Sequence, residues 1–168
     1  MIGQLTDAGN TTTLAHYLEL LQGAGMPAGL SKFSRGQVRQ RGSSPRLQVL
    51  NTALMSAQDP RSIAEARQDG DHWGRLVESC LGAHLFNSSF GTDIGVTYWR
   101  ERNHEVDFVL QRGKAAVAIE VKSGARREML PGMDAFAKLF KPKRQLLVGG
   151  QGIPLEEFLS KPAAHWLQ

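Results

Sequence analysis

Cysteine is nearly absent from this chain of 168 residues, with Cys80 the single example. One thiol excludes an internal disulfide and the cysteine-rich zinc sites, and it fits a reducing compartment. Long apolar runs are missing too: none approaches the roughly 20 residues needed to cross a bilayer, and the opening MIGQLTDAGN lacks the charged-then-apolar layout of a secretory signal. The expectation is a soluble, cytoplasmic protein with no membrane partner. No glycine-rich loop followed by Lys-Ser or Lys-Thr is present, so this chain carries no P-loop for ATP. The five histidines, His16, His72, His84, His104 and His165, show no metal-ligand spacing with Cys80.

Acidic residues are missing from one long stretch, with none between Glu19 and Asp59. Inside that gap, LSKFSRGQVRQRGSSPR carries Lys32, Arg35, Arg39, Arg41 and Arg46. A patch of one sign suits a polyanion such as nucleic acid, DNA first, although a solvated basic loop has the same composition. The whole chain has net charge +4 and a pI near 9.5, in keeping with a polyanionic partner. Hydrophobic residues at 41% and charged residues at 21% are ordinary globular usage, enough for one sizeable core.

Along the chain, NTTTLAHYLELLQ starts with capping residues and sets Leu14, Tyr17, Leu18 and Leu21 on one helical stripe, which GAG ends. The basic stretch, with turn signals at SRG and RGSSP, leads into RLQVLN, which alternates like a short strand. A helix followed by a basic hairpin resembles the last part of a winged-helix unit. NTALMSAQ and RSIAEARQ read as short helices, and QDGD marks a boundary near Gly70, dividing the chain into 1–70 and 71–168. Beyond it come a long helix with Asp71 as candidate cap, three strands (IGVTYWRE, HEVDFVLQ, AAVAIEVKS), the helix MDAFAKLF and the strand RQLLVGG. Trp73, Leu76, Val77, Cys80, Ala83 and His84 follow the spacing of that long helix, so Cys80 and His84 read as packed residues. Trp99 and Tyr98 read as core aromatics before base-stacking ones.

The hairpin HEVDFVLQRGKAAVAIEVKS carries charge where strands are usually apolar. Alternation puts Val106, Phe108 and Leu110 on one face and Glu105, Asp107 and Val109 on the other. On the partner strand, Val117, Ile119 and Val121 oppose Ala116, Ala118, Glu120 and Lys122. A turn centred on Arg112 and Gly113 pairs Leu110 with Ala115, Asp107 with Ala118 and Glu105 with Glu120, leaving Asp107 diagonal to Glu120. Carboxylates so crowded need a cation; Lys122 supplies one charge and a hard divalent ion would supply two. A solvated polar face is the ordinary reading of a bare Glu-x-Lys, as an exposed side chain is of Glu78. Against it stand the apolar character of AVAIEVKS, the matching parity of Asp107, and Glu78 on the preceding helix beside Val77 and Cys80.

Glu78, Asp107, Glu120 and Lys122, in the order αβββαβ, resemble the PD-(D/E)xK nuclease pattern, with Val106 where that pattern has proline before the Asp. The resemblance implies an α/β fold, a restriction-endonuclease-like core with a winged-helix-like helical segment before it. Over almost the whole chain, NTTTLAHYLELLQGAG, SSPRLQVLNTALM, GRLVES, EVDFVL and AIEVKS are similar to the uncharacterised domain that follows the ATPase module in one family of prokaryotic AAA+ proteins. That likeness implies an ATPase partner missing from this chain, which is then a C-terminal fragment or a truncated gene product. The nuclease pattern implies Mg²⁺ or Mn²⁺ held by Asp107 and Glu120, with Glu78 completing its shell directly or through water. Lys122 would serve the water or the phosphate, and Arg126 and Arg127 would join the basic run on the nucleic-acid backbone. The competing class is a nuclease-like module that binds nucleic acid or joins subunits without cutting; self-association stays open.

Overall fold

Residues 11–34, 45–124 and 130–168 are described by the computed structural model of the chain. In chain order they form helix α1 (Thr11–Gly23), strands β1 (Pro27–Leu30) and β2 (Arg46–Val49), and helices α2 (Ala53–Ala57), α3 (Ile63–Gln68) and α4 (Gly70–Ser89). Strands β3 (Gly95–Glu101), β4 (His104–Arg112) and β5 (Ala115–Val121) follow, then α5 (Pro131–Phe140), β6 (Arg144–Val148), α6 (Leu155–Leu159) and α7 (Ala163–Trp166). From α4 onward the order is helix, three strands, helix, strand, as the periodicities predict.

Local chemistry accounts for the starts of the central helices. Ser62 and Glu65 close a reciprocal capping box on α3. At α4 the capping carboxylate is Asp69, which accepts from the His72 amide at 3.1 Å. The expected cap, Asp71, lies inside the first turn instead, because the cap falls two residues earlier, at Asp69, and the helix begins at Gly70.

The four long strands make one mixed sheet in the order β3-β4-β5-β6, antiparallel except for the parallel pair β5-β6, which α5 connects. Strand β5 is buried on both faces, as its near-continuous apolar run requires. One core cluster, under α4, α6 and α7, holds Leu81, Leu85, Phe108, Leu110, Ile119, Phe158 and Trp166. The other, under α5, holds Trp99, Val109, Ala118, Met133 and Phe136. The fold is therefore α/β, with helices on both faces of the sheet. Burying Phe108 and Ile119 completely contributes roughly 1.5–3 kcal/mol each.

Strands β1 and β2 pair antiparallel as a separate two-stranded sheet, and Leu30 and Phe33 reach one core cluster each. Gln48 is buried against α4, its amide donating to the Ser79 carbonyl at 2.8 Å. Opposite it, α4 carries Gly82, where a Cβ would overlap the Gln48 amide and the Phe108 ring. On α1, Tyr17 and Leu21 of the expected stripe are exposed and Leu18 is half-buried.

Two expectations about the hairpin are corrected. Its turn is Gly113–Lys114, with Gly113 at φ 58°, so Arg112 pairs with Ala115, Leu110 with Val117 and Val109 with Ala118. The expected register is off by two residues; an even slip leaves every side chain on its own face. Val106 does change face: it packs with Val109 under α5, away from Phe108 and Leu110. The cause is a β-bulge. Thr97 pairs with Val109 and Trp99 with Val106, so Tyr98 alone stands opposite both Asp107 and Phe108.

Candidate functional site

The bulge decides what Asp107 does. The β4–β5 ladder ends at Phe108 and Ile119, leaving backbone groups there to be satisfied by other means. Asp107 Oδ2 accepts from the Val121 amide at 2.8 Å, and the Asp107 carbonyl accepts from Arg46 Nη2 at 2.7 Å. The carboxylate thus sits where the two central strands part, near enough to Glu120 to feel its charge.

Charge is crowded at this point. Burial and the neighbouring charges of Glu120 and Glu78 push the Asp107 carboxyl up to about 7. Burial also pushes Glu120 up, against the Lys122 ammonium, whose Nζ lies 3.1 Å from Glu120 Oε1. Lys122 follows β5 and donates its amide to the Val148 carbonyl at 2.9 Å. Gly149, at φ 76°, leans on the Lys122 carbonyl so closely that a Cβ would overlap it, which packs the chain leaving β6 against the Lys122 backbone.

Glu78, on α4, is paired with Arg46 at 3.0 Å. The same guanidinium lies 3.4 Å from Glu105 Oε1 and stands over the Tyr98 and Phe108 rings at 5.4 and 5.0 Å from their centroids. The structure therefore brings Asp107, Glu120, Lys122 and Glu78 into one neighbourhood, with Arg46 and Glu105 added. Arg46 is turned into the carboxylates, whereas Lys32 lies at the β1 side in a bridge to Tyr98. Arg35, Arg39, Arg41, Arg126 and Arg127 lie outside the described residues. The place of Arg46 as a cation of this cluster was not read from the sequence; its partners are 32 or more positions away, and only its membership of the basic run hinted at any role.

Asp107 accepts from the Val121 amide through Oδ2 and Glu120 meets Lys122 through Oε1, so two carboxylates, both hard oxygen donors, face this point. Two such donors fit the way Mg²⁺ is held, by one or two carboxylates with water and phosphate filling the remaining positions. Among the described residues no three His, Cys, Asp or Glu side chains are gathered to hold a metal ion. Glu78, tied to Arg46, stands outside such a set.

The other sequence candidates fall where packing explains them. Trp99 is core, Tyr98 is half-buried under Arg46, and His104 is exposed at the start of β4. His84 Nε2 meets the Lys161 carbonyl at 2.8 Å, and its ring packs edge-on to Phe158. Cys80 is only half-buried; with Trp73 and Leu159 it lines a cavity of about 500 Å³ away from the carboxylates.

A family described as a domain of unknown function (DUF4143) matches residues 73–157, half of the chain. The chain belongs to the DUF4143 family. The matched part of this DUF4143 chain runs from the first turn of α4 into α6 and contains Glu78, Glu105, Asp107, Glu120 and Lys122, while Arg46 precedes it. No curated protein and no solved structure matches the chain.

Proposed function

We propose that this DUF4143 chain is a metal-dependent nuclease domain with a PD-(D/E)xK-type core, acting on nucleic acid, and that in a longer protein it follows an AAA+ ATPase module. The observation that carries this reading is the Asp107 carboxylate where β4 and β5 part, its charge opposed by burial and by Glu120, with Lys122 alongside. Support also comes from the order α4-β3-β4-β5-α5-β6 and from the nearness of the Asp107 and Glu120 carboxylates. Those two side chains would hold Mg²⁺ or Mn²⁺, with Glu78 reaching the ion through water. When bound, the ion supplies Lewis acidity for a phosphate oxygen and lowers the pKa of a water molecule. The Lys122 ammonium, steered by Glu120, orients that water or balances charge developing on the phosphate. Lys32 and the arginines at 35, 39, 41, 126 and 127 contribute phosphate contacts, which give affinity without choosing sequence. Helix α1 with the β1–β2 ribbon is the winged-helix-like part of that surface, and the cytoplasm is the expected compartment.

Supercoiled plasmid and a labelled single strand, each incubated with Mn²⁺, test the proposal. Wild type should cleave at least one of them, and Asp107→Ala and Lys122→Ala should cleave neither while keeping the wild-type circular dichroism spectrum. Equal cleavage by all three proteins would show that the activity has another source. A second reading is favoured by one observation, the ion pair that occupies Glu78: a nuclease-like module that binds nucleic acid or joins ATPase subunits without cutting.

A further inference from the structure

Four carboxylates, those of Glu78, Glu105, Asp107 and Glu120, lie in the neighbourhood of the parted ends of β4 and β5, and among the described residues the cations that answer them are unequal. Lys122 pairs with Glu120. Arg100 lies 3.8 Å from Glu105 with a side chain 67% exposed, so water and salt screen it. Arg46 is different in kind. Its side chain is 25% exposed, its guanidinium meets Glu78, Glu105 and the Asp107 carbonyl together, and two aromatic rings flank it.

We propose that Arg46 is the resident cation of the carboxylate site, a positioning residue that holds Glu78 and Glu105 by ion pairs and releases Glu78 when a divalent ion binds at Asp107 and Glu120. This rests on the metal-site reading given above. Arg46 approaches from β2 and also donates to the Asp107 carbonyl, while the Asp107 carboxylate itself accepts from Val121. An arriving divalent ion meets a positive charge nearby, and Arg46 and the ion then compete for Glu78. Removing the guanidinium relieves that repulsion and frees Glu78. The competition makes the ion bind more weakly than two buried carboxylates alone would bind it.

The test is calorimetric titration of Mn²⁺ into wild type and Arg46→Met, whose apolar stem still fills the space between Tyr98 and Phe108. Arg46→Met should bind Mn²⁺ at least about tenfold more tightly than wild type. Should that variant fail to unfold cooperatively, the decision passes to wild type: the Arg46 Nε–Hε resonance, assigned with Arg46→Lys, should shift in step with Mg²⁺ saturation. Equal or weaker Mn²⁺ binding by Arg46→Met, or an Arg46 resonance that stays in place while Mg²⁺ saturates the protein, would overturn the exchange and leave the metal site standing. Absence of Mn²⁺ binding in both proteins would remove the metal site itself, and the exchange with it.

Discussion

Asp107 meets two influences that favour its charge and several that do not. The Val121 amide and the Arg46 charge are the favourable ones; burial, Glu120 and Glu78 outweigh them and raise the carboxyl to about 7. The consequence for stability has a definite sign. A carboxyl whose folded pKa lies above its unfolded value, near 3.9, binds its proton more tightly when folded. Its contribution is complete below about pH 4 and is lost as pH rises through about 7, and Glu120, shifted the same way, adds to the fall. Metal-free wild type should therefore lose stability between pH 5 and pH 8. Asp107→Asn keeps an acceptor for Val121 and carries no charge, so it should exceed wild type at pH 8 by roughly 2–4 kcal/mol and flatten the slope. Urea denaturation of both proteins in a chelator at the two pH values measures this; parallel pH dependences would show that Asp107 is not held protonated.

Elements explain which parts of this molecule could be read in advance. Helices α2 to α5 and strands β2 to β6 carry clear periodicity in the sequence, and the charged face of the hairpin was visible because Glu120 and Lys122 interrupt an apolar run. The register was not visible: Arg112 and Gly113 make as plausible a turn as Gly113 and Lys114, and only the positive φ at Gly113 as first turn residue separates them. A bulge leaves no local mark, so the change of face at Val106 could not be foreseen. Strand β1, four residues including Pro27 and Gly29, offers too short a pattern, and the pairing of Arg46 with Glu78 depends on a fold that alternation does not specify. Close approach of elements does leave a mark in glycine. The first turn of α5 lies against Glu105, where a Cβ at Gly132 would overlap the Glu105 carbonyl, whereas a Cβ at Gly70 would meet open space. Gly132→Ala should cost about 2–4 kcal/mol, while Gly70→Ala should be neutral or stabilising by up to about 1 kcal/mol. Denaturation midpoints of the two variants check this; similar values would mean that α5 does not press on β4 there.

At the scale of the whole molecule, negative charge gathers at the parting of the two central strands, and the basic stretch precedes them in sequence. Helices on both faces bury the sheet, and among the described residues no helix is long and apolar enough to cross a membrane. Arg46 joins the two regions: it belongs by sequence to the basic stretch and by contact to the carboxylates. The central claim is that Asp107 and Glu120 share a divalent ion beside a lysine with a separate task. Calorimetric titration of Mn²⁺ into wild type, Asp107→Ala and Lys122→Ala tests it most directly. Wild type should bind in the millimolar range or tighter, Asp107→Ala should not bind, and Lys122→Ala should bind as well as wild type or better, since removing a cation beside a cation site relieves repulsion. Absence of binding by wild type, or loss of binding in folded Lys122→Ala as complete as in Asp107→Ala, would contradict it.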